Sequence, residues 1–296
     1  MTVADVLDGG FAVISARPRR VLGFVAAFIV PVYLLAGFVQ RDQLRAVGAA
    51  DIWSSDPTVF RETGQSSSPL ADLAGSLLGL VLPALVLVCV AAGLAHLVAG
   101  WTVGRDPSAR EMAAVVGRRW WALLASFLLV HLAEGAGIVV GVIGGLLVAI
   151  PLAAVVPLAV GVGILFGVIG GWLVAITLFA TVAPVIGTEG VGPLTALARA
   201  MRLGGARFWR TLGLVLLMGI VSWVLTSALS VVPQGLATVA GADGGWALQV
   251  VGGIVSQMVV LPFVAAATVL LYLDLRIRTE GLDIELRAVD LADRAG

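Results

Sequence analysis

The stretch that decides the fold is Trp121–Thr188, WALLASFLLVHLAEGAGIVVGVIGGLLVAIPLAAVVPLAVGVGILFGVIGGWLVAITLFATVAPVIGT. Its 68 residues contain only two ionisable side chains, His131 and Glu134. A transmembrane helix needs about 20 apolar residues, so this stretch holds either two long spans or three short ones. The whole chain of 296 residues is 60% hydrophobic and 12% charged, against roughly half and a quarter in soluble domains. The composition predicts an integral membrane protein.

The distribution of arginine decides the number of spans. All 18 basic residues are arginines. Fifteen of them lie in four places: before the first apolar run of the chain, after the second run, after Trp121–Thr188, and after the last run. Loops rich in arginine stay in the cytoplasm. The arginines on either side of Trp121–Thr188 therefore lie on one side of the membrane, and an even number of helices must connect them. We predict two, with the turn near Gly144-Gly145 or Pro151, and both chain termini in the cytoplasm.

The predicted fold class is an all-α integral membrane protein in a single domain, residues 1–296. Six transmembrane helices form three hairpins, and a short interfacial amphipathic helix precedes each hairpin. The predicted spans are residues 21–39, 73–100, 121–148, 152–186, 211–232 and 247–273. The predicted interfacial helices are residues 3–16, 107–117 and 193–204, residues 40–72 form an extracytoplasmic loop, and Pro233–Gly245 is a second loop.

The three interfacial helices rest on local patterns. Residues 3–14 repeat apolar side chains at helical spacing on one face. Asp106-Pro107 predicts an N-cap followed by proline at the first helical position, and Leu194, Leu197 and Met201 share a face of the third helix. The alternative stays open that arginine and tryptophan merely anchor ordinary hairpins at the interface, with no threefold repeat.

Three stretches resemble an actinobacterial and firmicute membrane family that is usually described as uncharacterised or as the glycerophosphoryl diester phosphodiesterase membrane domain. They are Val3–Phe11 (VADVLDGGF), Ala183–Leu203 (APVIGTEGVGPLTALARAMRL) and Leu271–Leu286 (LYLDLRIRTEGLDIEL). The resemblance covers nearly the whole chain and implies a membrane protein without an assigned activity. The catalytic domain from which the family takes its name is separate and soluble, so the activity is not carried over.

His131 and Glu134 are the candidate intramembrane polar site. At i, i+3 they share a helix face, and they lie roughly 15–20 Å along a helix that starts near Trp121, at 1.5 Å per residue. Ionisable residues at that depth are costly and often functional. A proton relay, a contact for a polar head group and a hydrogen-bonded pair that locks helices together all remain open. Two residues alone do not make a zinc site.

A second candidate site is a cluster at the cytoplasmic face, around the end of the last span. Asp274, Arg276 and Arg278 suit a helix C-terminus and anionic lipid phosphates. An ion-pair network with Asp5, Asp8 or Glu189 is one interpretation, and docking of a cytoplasmic partner is the other.

Glycines four residues apart, at 137, 141 and 145 and again at 163 and 167, predict close helix packing inside the monomer or, as the alternative, between copies.

The sequence carries no recognisable catalytic motif, so we predict that the chain is not an enzyme and has no cofactor, metal site or nucleic-acid partner. The single cysteine, Cys89, excludes an intrachain disulfide. Three functions stay open. The first is a scaffold or accessory subunit of a bacterial plasma membrane that contacts lipid head groups or a partner protein. The second is a transporter component that uses His131 and Glu134, and the third is a lipid-modifying enzyme.

Overall fold

A computed structural model of the protein describes residues 3–41, 44, 69–153, 156 and 158–282, and these residues form helices without any strand. Most of the predicted extracytoplasmic loop 40–72 lies outside the described residues. The helices are α1 (Val3–Ala16), α2 (Pro18–Val39), α3 (Pro69–Thr102), α4 (Ala109–Arg118), α5 (Trp120–Ala153), α6 (Ala159–Phe179), α7 (Val182–Glu189), α8 (Pro193–Ala206), α9 (Phe208–Gly241) and α10 (Gly244–Glu280).

Six of the described helical segments are long and apolar enough to cross a membrane, which is the architecture of a multi-pass membrane protein. They are α2, residues Leu77–Thr102 of α3, α5, α6 together with α7 as Ala159–Glu189, α9 and α10. The most apolar part of α10 is 56% buried, whereas the corresponding parts of α5 and α9 are 6% buried. The last helix is therefore the centre of the bundle, and α5 and α9 lie at its periphery.

Helix α1 packs along α10. Its residues Val6, Gly10 and Val13 are buried, and the ring of Phe11 stacks on Phe263 with 4.4 Å between the centroids. Part of the apolar face predicted for residues 3–14 thus contacts the last helix.

The two predicted hairpin turns fare differently. Helix α5 continues through Gly144-Gly145 and Pro151 and ends at Ala153, so the turn is not at Gly144-Gly145 but follows closely after Pro151, the other predicted position. The predicted loop Pro233–Gly245 is also wrong, because the only non-helical backbone between α9 and α10 is at Gly241, with φ 70° and ψ −172°. Glycine adopts that conformation without steric cost, and a proline inside a transmembrane helix is tolerated when its neighbours satisfy the freed carbonyl.

Two of the short helices also differ from the prediction, α4 in its N-cap residue and α8 in the face that it buries. Helix α4 is capped by Ser108, whose hydroxyl accepts a hydrogen bond from the Glu111 backbone N–H in a capping box. The predicted cap Asp106 lies outside the helix, since its carboxylate binds arginine instead. Helix α8 buries Ala196, Ala200 and Leu203, whereas the predicted face is largely exposed, with Leu194 at 69% and Met201 at 46%.

Contacts between the helix ends place the arginine segments together at one end of the bundle. Arg17 and Arg20 contact Asp106, the guanidinium of Arg119 lies against Gly190, and the ends of α7, α8 and α10 share ion pairs. We call this the arginine-rich end; it comprises residues 17–20, 103–120, 188–210 and 274–280. The opposite end carries Gln40 and the Gly241 turn.

Candidate functional site

The first polar network of the arginine-rich end is centred on Glu189, the last residue of α7. Gly190 ends that helix with a φ of 70°, which turns the chain toward α8. The Glu189 carboxylate accepts hydrogen bonds from Arg199 Nε and from the Tyr272 hydroxyl, the latter at 2.6 Å. Thr188 donates to the same tyrosine oxygen at 3.0 Å. One carboxylate therefore joins α7 to α8 and α10.

Glu280 continues this network at the end of α10. Its carboxylate accepts hydrogen bonds from Arg276 Nε at 3.0 Å, Arg199 at 2.9 Å and Arg202 at 2.7 Å. Tyr272, Arg276 and Glu280 are four residues apart, so they lie above one another on one face of the helix. Arg199 spans the two carboxylates, and its forked guanidinium suits this role better than a lysine ammonium would.

A second network surrounds Asp274, whose side chain is only 1% exposed. Arg210, near the start of α9, lies 3.1 Å from one carboxylate oxygen, and Arg278 lies 2.9 Å from the other. A buried carboxylate between two arginines has its charge compensated, which burial requires. This network ties the start of α9 to the end of α10.

The predicted cytoplasmic-face residues are only partly brought together. Glu189, Asp274, Arg276 and Arg278 lie in these two networks, and Arg276 reaches Glu189 through the Tyr272 hydroxyl at 3.4 Å. Asp5 and Asp8 are exposed residues of α1. The sequence analysis missed two members on α10, Tyr272 and Glu280, although their i, i+4 spacing around Arg276 indicates them. It also missed three arginines on other helices: Arg199, Arg202 and Arg210.

Asp106 forms a third contact, between the start of α2 and the end of α3. Its carboxylate lies 2.6 Å from Arg20 and 3.2 Å from Arg17, and Trp101 Nε1 donates to it at 3.2 Å. The hydrogen bonds from Trp101 and then Arg20 hold the pKa of Asp106 below its usual value. The carboxylate is therefore ionised at neutral pH and holds the start of α2 against the loop after α3.

A different set of arginines makes no ion pair or hydrogen bond with any described residue, and we call these the unpaired arginines. Arg110 lies in α4, the other four lie at or beside the start of a predicted hairpin, and all except Arg119 are exposed. Tryptophans follow two of the positions: Trp120 and Trp121 are 44% and 70% exposed, and Trp209 is 80% exposed. The unpaired arginines are Arg19, Arg110, Arg118, Arg119 and Arg207.

His131 and Glu134 lie on α5, and the His131 Nε2 is 4.0 Å from the Glu134 carboxylate. The Nδ1 of His131 is 2.8 Å from the Phe127 carbonyl oxygen, so a proton on Nδ1 can be donated to that carbonyl. His131 also lines a cavity of about 110 Å³ with Ser126 and Thr268. Glu134 is one-fifth exposed and accepts no hydrogen bond from a described residue.

Helix α5 packs on α6 through the predicted glycines. Gly137 faces Gly171, Gly141 faces Gly167 and Gly145 faces Gly163, each against the backbone of its partner. Glu134 precedes this glycine stripe by one helical turn on the same side of α5, because seven residues separate it from Gly141. The predicted small-residue packing thus occurs within the monomer, and Glu134 lies beside the α5–α6 contact.

Comparison with known proteins gives no match to a family model, to a curated protein or to a solved structure. Among the described residues, no three histidine, cysteine or acidic side chains converge as a metal site would require. The assignment of function therefore rests on the geometry of the two candidate sites.

Proposed function

We propose that the protein is a non-enzymatic multi-pass scaffold or accessory subunit of the bacterial plasma membrane. Its arginine-rich end faces the cytoplasm, with both termini there, and binds anionic lipid head groups. The observation that carries the proposal is the division of the arginines into two sets. One set is used internally, by Glu189, Asp274 and Glu280, and the unpaired arginines remain available to bind phosphate.

Physical chemistry favours lipid phosphate as the partner of the unpaired arginines. Arginine binds phosphate through two parallel hydrogen bonds, and tryptophan rings prefer the head-group region of the bilayer. Arg118 and Arg119 stand directly before Trp120 and Trp121, and Arg207 precedes Trp209 by two residues. An exposed basic residue near an anionic leaflet contributes about 1 kcal/mol to membrane attraction. A cytoplasmic protein with an acidic surface is the alternative partner.

The proposal is tested by measuring lipid retention. The purified chain is placed in nanodiscs of phosphatidylcholine with phosphatidylglycerol, and bound lipid is counted by native mass spectrometry. The double variant Arg118→Gln/Arg119→Gln should retain phosphatidylglycerol several-fold less well, at about 1 kcal/mol per arginine. Arg41→Gln, at the opposite end, is the matched control. Equal retention by the double variant and the control would contradict the proposal.

A transporter component is the second candidate function, and the cavity beside His131 favours it. A titratable side chain on a cavity at membrane depth is typical of proton and solute pathways. Proteoliposomes with an imposed proton gradient test it, with Glu134→Gln and His131→Ala compared against Leu132→Ala. A proton flux lost only in the first two variants supports transport, and an unchanged flux removes that role from both residues.

The family resemblance seen in the sequence stays a prediction. It adds to the proposal only the expectation of a membrane protein without catalytic machinery of its own. The resemblance and the arginine division are independent, so the lipid measurement tests the proposal whether or not the family relationship is correct.

A further inference from the structure

A cavity of about 250 Å³ lies at the opposite end of the bundle, between four helices. Helix α2 contributes Tyr33 and its C-cap residue Gln40, α3 contributes Pro83, α9 contributes Gln234, and α10 contributes Gln249. It is separate from the arginine-rich end and from the His131 cavity, with which it shares no lining residue.

The lining of this cavity is unusual for this chain. The sequence contains six glutamines, no asparagine and two tyrosines, and the cavity gathers three of those glutamines and one of the tyrosines. Tyr33, Gln40 and Gln249 are half-buried, whereas Gln234 is exposed at the mouth of the cavity. A hydrogen-bonding side chain that is partly removed from water is costly unless it has a partner, so the gathering of these side chains on one cavity indicates a polar site.

Most of the hydrogen-bonding capacity in the cavity is unused by the protein. Gln40 Nε2 donates to the Gly75 carbonyl at 2.5 Å, but the hydroxyl of Tyr33 and the amides of Gln234 and Gln249 make no hydrogen bond with a described residue. An amide offers two donors and one acceptor oxygen, and a phenol offers one donor and one acceptor. These groups can bind a ligand that both donates and accepts.

The walls of the cavity are held by close helix contacts. Gly37 packs against Val250, Gly79 against the Gln40 side chain, and Gly252 against Pro233. A Cβ atom at any of these glycines would overlap its neighbour. The three contacts join α2, α3, α9 and α10 around the cavity, so its polar groups are positioned by backbone packing rather than by mobile loops.

The polar face of α10 extends inward from the cavity. Ser256 lies seven residues after Gln249 and so on the same side of the helix. It is 2% exposed, and its hydroxyl has no hydrogen-bond partner among the described residues. Ser256 lies one turn beyond Gly252, which lines the cavity. Its hydroxyl is therefore a further group next to the cavity that could form a hydrogen bond.

We propose that this cavity binds an uncharged polyhydroxyl ligand about the size of one sugar ring. Among the described residues that line it, none is a carboxylate, an arginine or a histidine, so these residues offer no counter-charge to a charged ligand. Amide groups pair with neighbouring hydroxyls as joint donors and acceptors. The volume corresponds to roughly eight water molecules at about 30 Å³ each, which suits a single ring. This inference does not depend on the lipid-binding proposal.

The test is direct binding to the full chain in nanodiscs. The probes are radiolabelled glucose, galactose and myo-inositol, with glucose 6-phosphate as the charged comparison, and saturable binding is measured by scintillation proximity. We expect at least one neutral probe to bind saturably. Gln249→Leu should weaken it at least tenfold, whereas Gln257→Leu, on the same helix but not lining the cavity, should leave it unchanged.

Tyr33→Phe is the second variant, because it removes a single hydroxyl and preserves the packing. It should weaken binding several-fold even if Gln249→Leu does not fold. The proposal is overturned if no neutral probe binds saturably, if Gln257→Leu weakens binding as much as Tyr33→Phe, or if glucose 6-phosphate binds as well as glucose. Lipid retention by the same variants should be unchanged, which separates this outcome from failure of the lipid proposal.

Discussion

The arginine-rich end and the α5–α6 pair hold helices together in opposite ways. At the arginine-rich end, α7, α8, α9 and α10 are joined by carboxylates shared among arginines and a tyrosine. Between α5 and α6 there is no such group, and the backbones meet at three pairs of glycines. Water and lipid head groups at the bundle end lower the cost of charge, whereas in the hydrocarbon region close backbone packing replaces it. The comparison predicts that the two regions respond to different substitutions.

The largest effect is expected from Asp274→Ala. The change leaves Arg210 and Arg278 without the carboxylate they share, and breaking a buried ion pair in this way costs about 3–5 kcal/mol. The free energy of unfolding in bicelles measures it. Arg202→Ala is the control, because Arg202 is 68% exposed and its loss should cost below about 1 kcal/mol. Similar losses in both variants would show that burial of the network does not matter.

A smaller but specific effect is expected from Gly141→Ala. The added methyl group meets the carbonyl oxygen of Gly167, so the two helices must separate, at about 1–3 kcal/mol. Gly144→Ala is the matched control on the same helix, since a Cβ there meets nothing within 4 Å. The thermal midpoint of the purified protein should fall only for the first variant. Equal midpoints would mean that the glycine contact is not close in the membrane.

Tyr272→Phe removes one hydroxyl from the Glu189 network. The carboxylate loses a donor, and Thr188 loses its acceptor on that oxygen, so we expect a loss of about 1.5–3 kcal/mol, as for a hydrogen bond to a charged group. Tyr33→Phe, the only other tyrosine change available, should stay within about 0.5 kcal/mol. The free energy of unfolding of both variants is measured by denaturant titration. Equal losses in the two variants would mean that the Glu189 network does not stabilise the fold.

The smallest effect concerns Asp106 and its pH dependence. Because the pKa of this exposed carboxyl is held below its ordinary value of 3.8, its contacts stabilise the fold above that pH and are lost as the pH falls through the lowered pKa. The difference in thermal midpoint between the natural chain and Asp106→Asn should be constant from pH 8 to about 5 and should close below about 4. A difference that closes near neutral pH would be inconsistent with a lowered pKa.

The sequence predicts the class of fold better than its details. Six apolar helical segments follow from run length and arginine parity, because hydrophobic length is a property of the chain alone. The turns follow only in part, since Gly145 and Pro233 look like breaks until their packing partners, Gly163 on α6 and Gly252 on α10, are known. Tertiary contacts, which local sequence does not encode, decided how these residues are used.

The candidate site, like the fold, is only partly visible in the sequence. The i, i+4 spacing of Tyr272, Arg276 and Glu280 is visible in the sequence, but their partners from α7 and α8 lie 78 to 84 positions away. The cavity at the opposite end could not be predicted, because its glutamines are scattered over three helices. Only the folded arrangement shows that they face one another.

The central claim is that the arginine-rich end lies in the cytoplasm, and single-cysteine labelling tests it most directly. In a Cys89→Ala background, cysteines at Ala16, Ala206 and Ala240 are labelled in intact cells with a membrane-impermeant maleimide. If the arginine-rich end is cytoplasmic, only Ala240→Cys, beside the Gly241 turn, reacts from outside, and the other two react only after the membrane is opened. Reaction of Ala206→Cys in intact cells would place the arginine-rich end outside the cytoplasm.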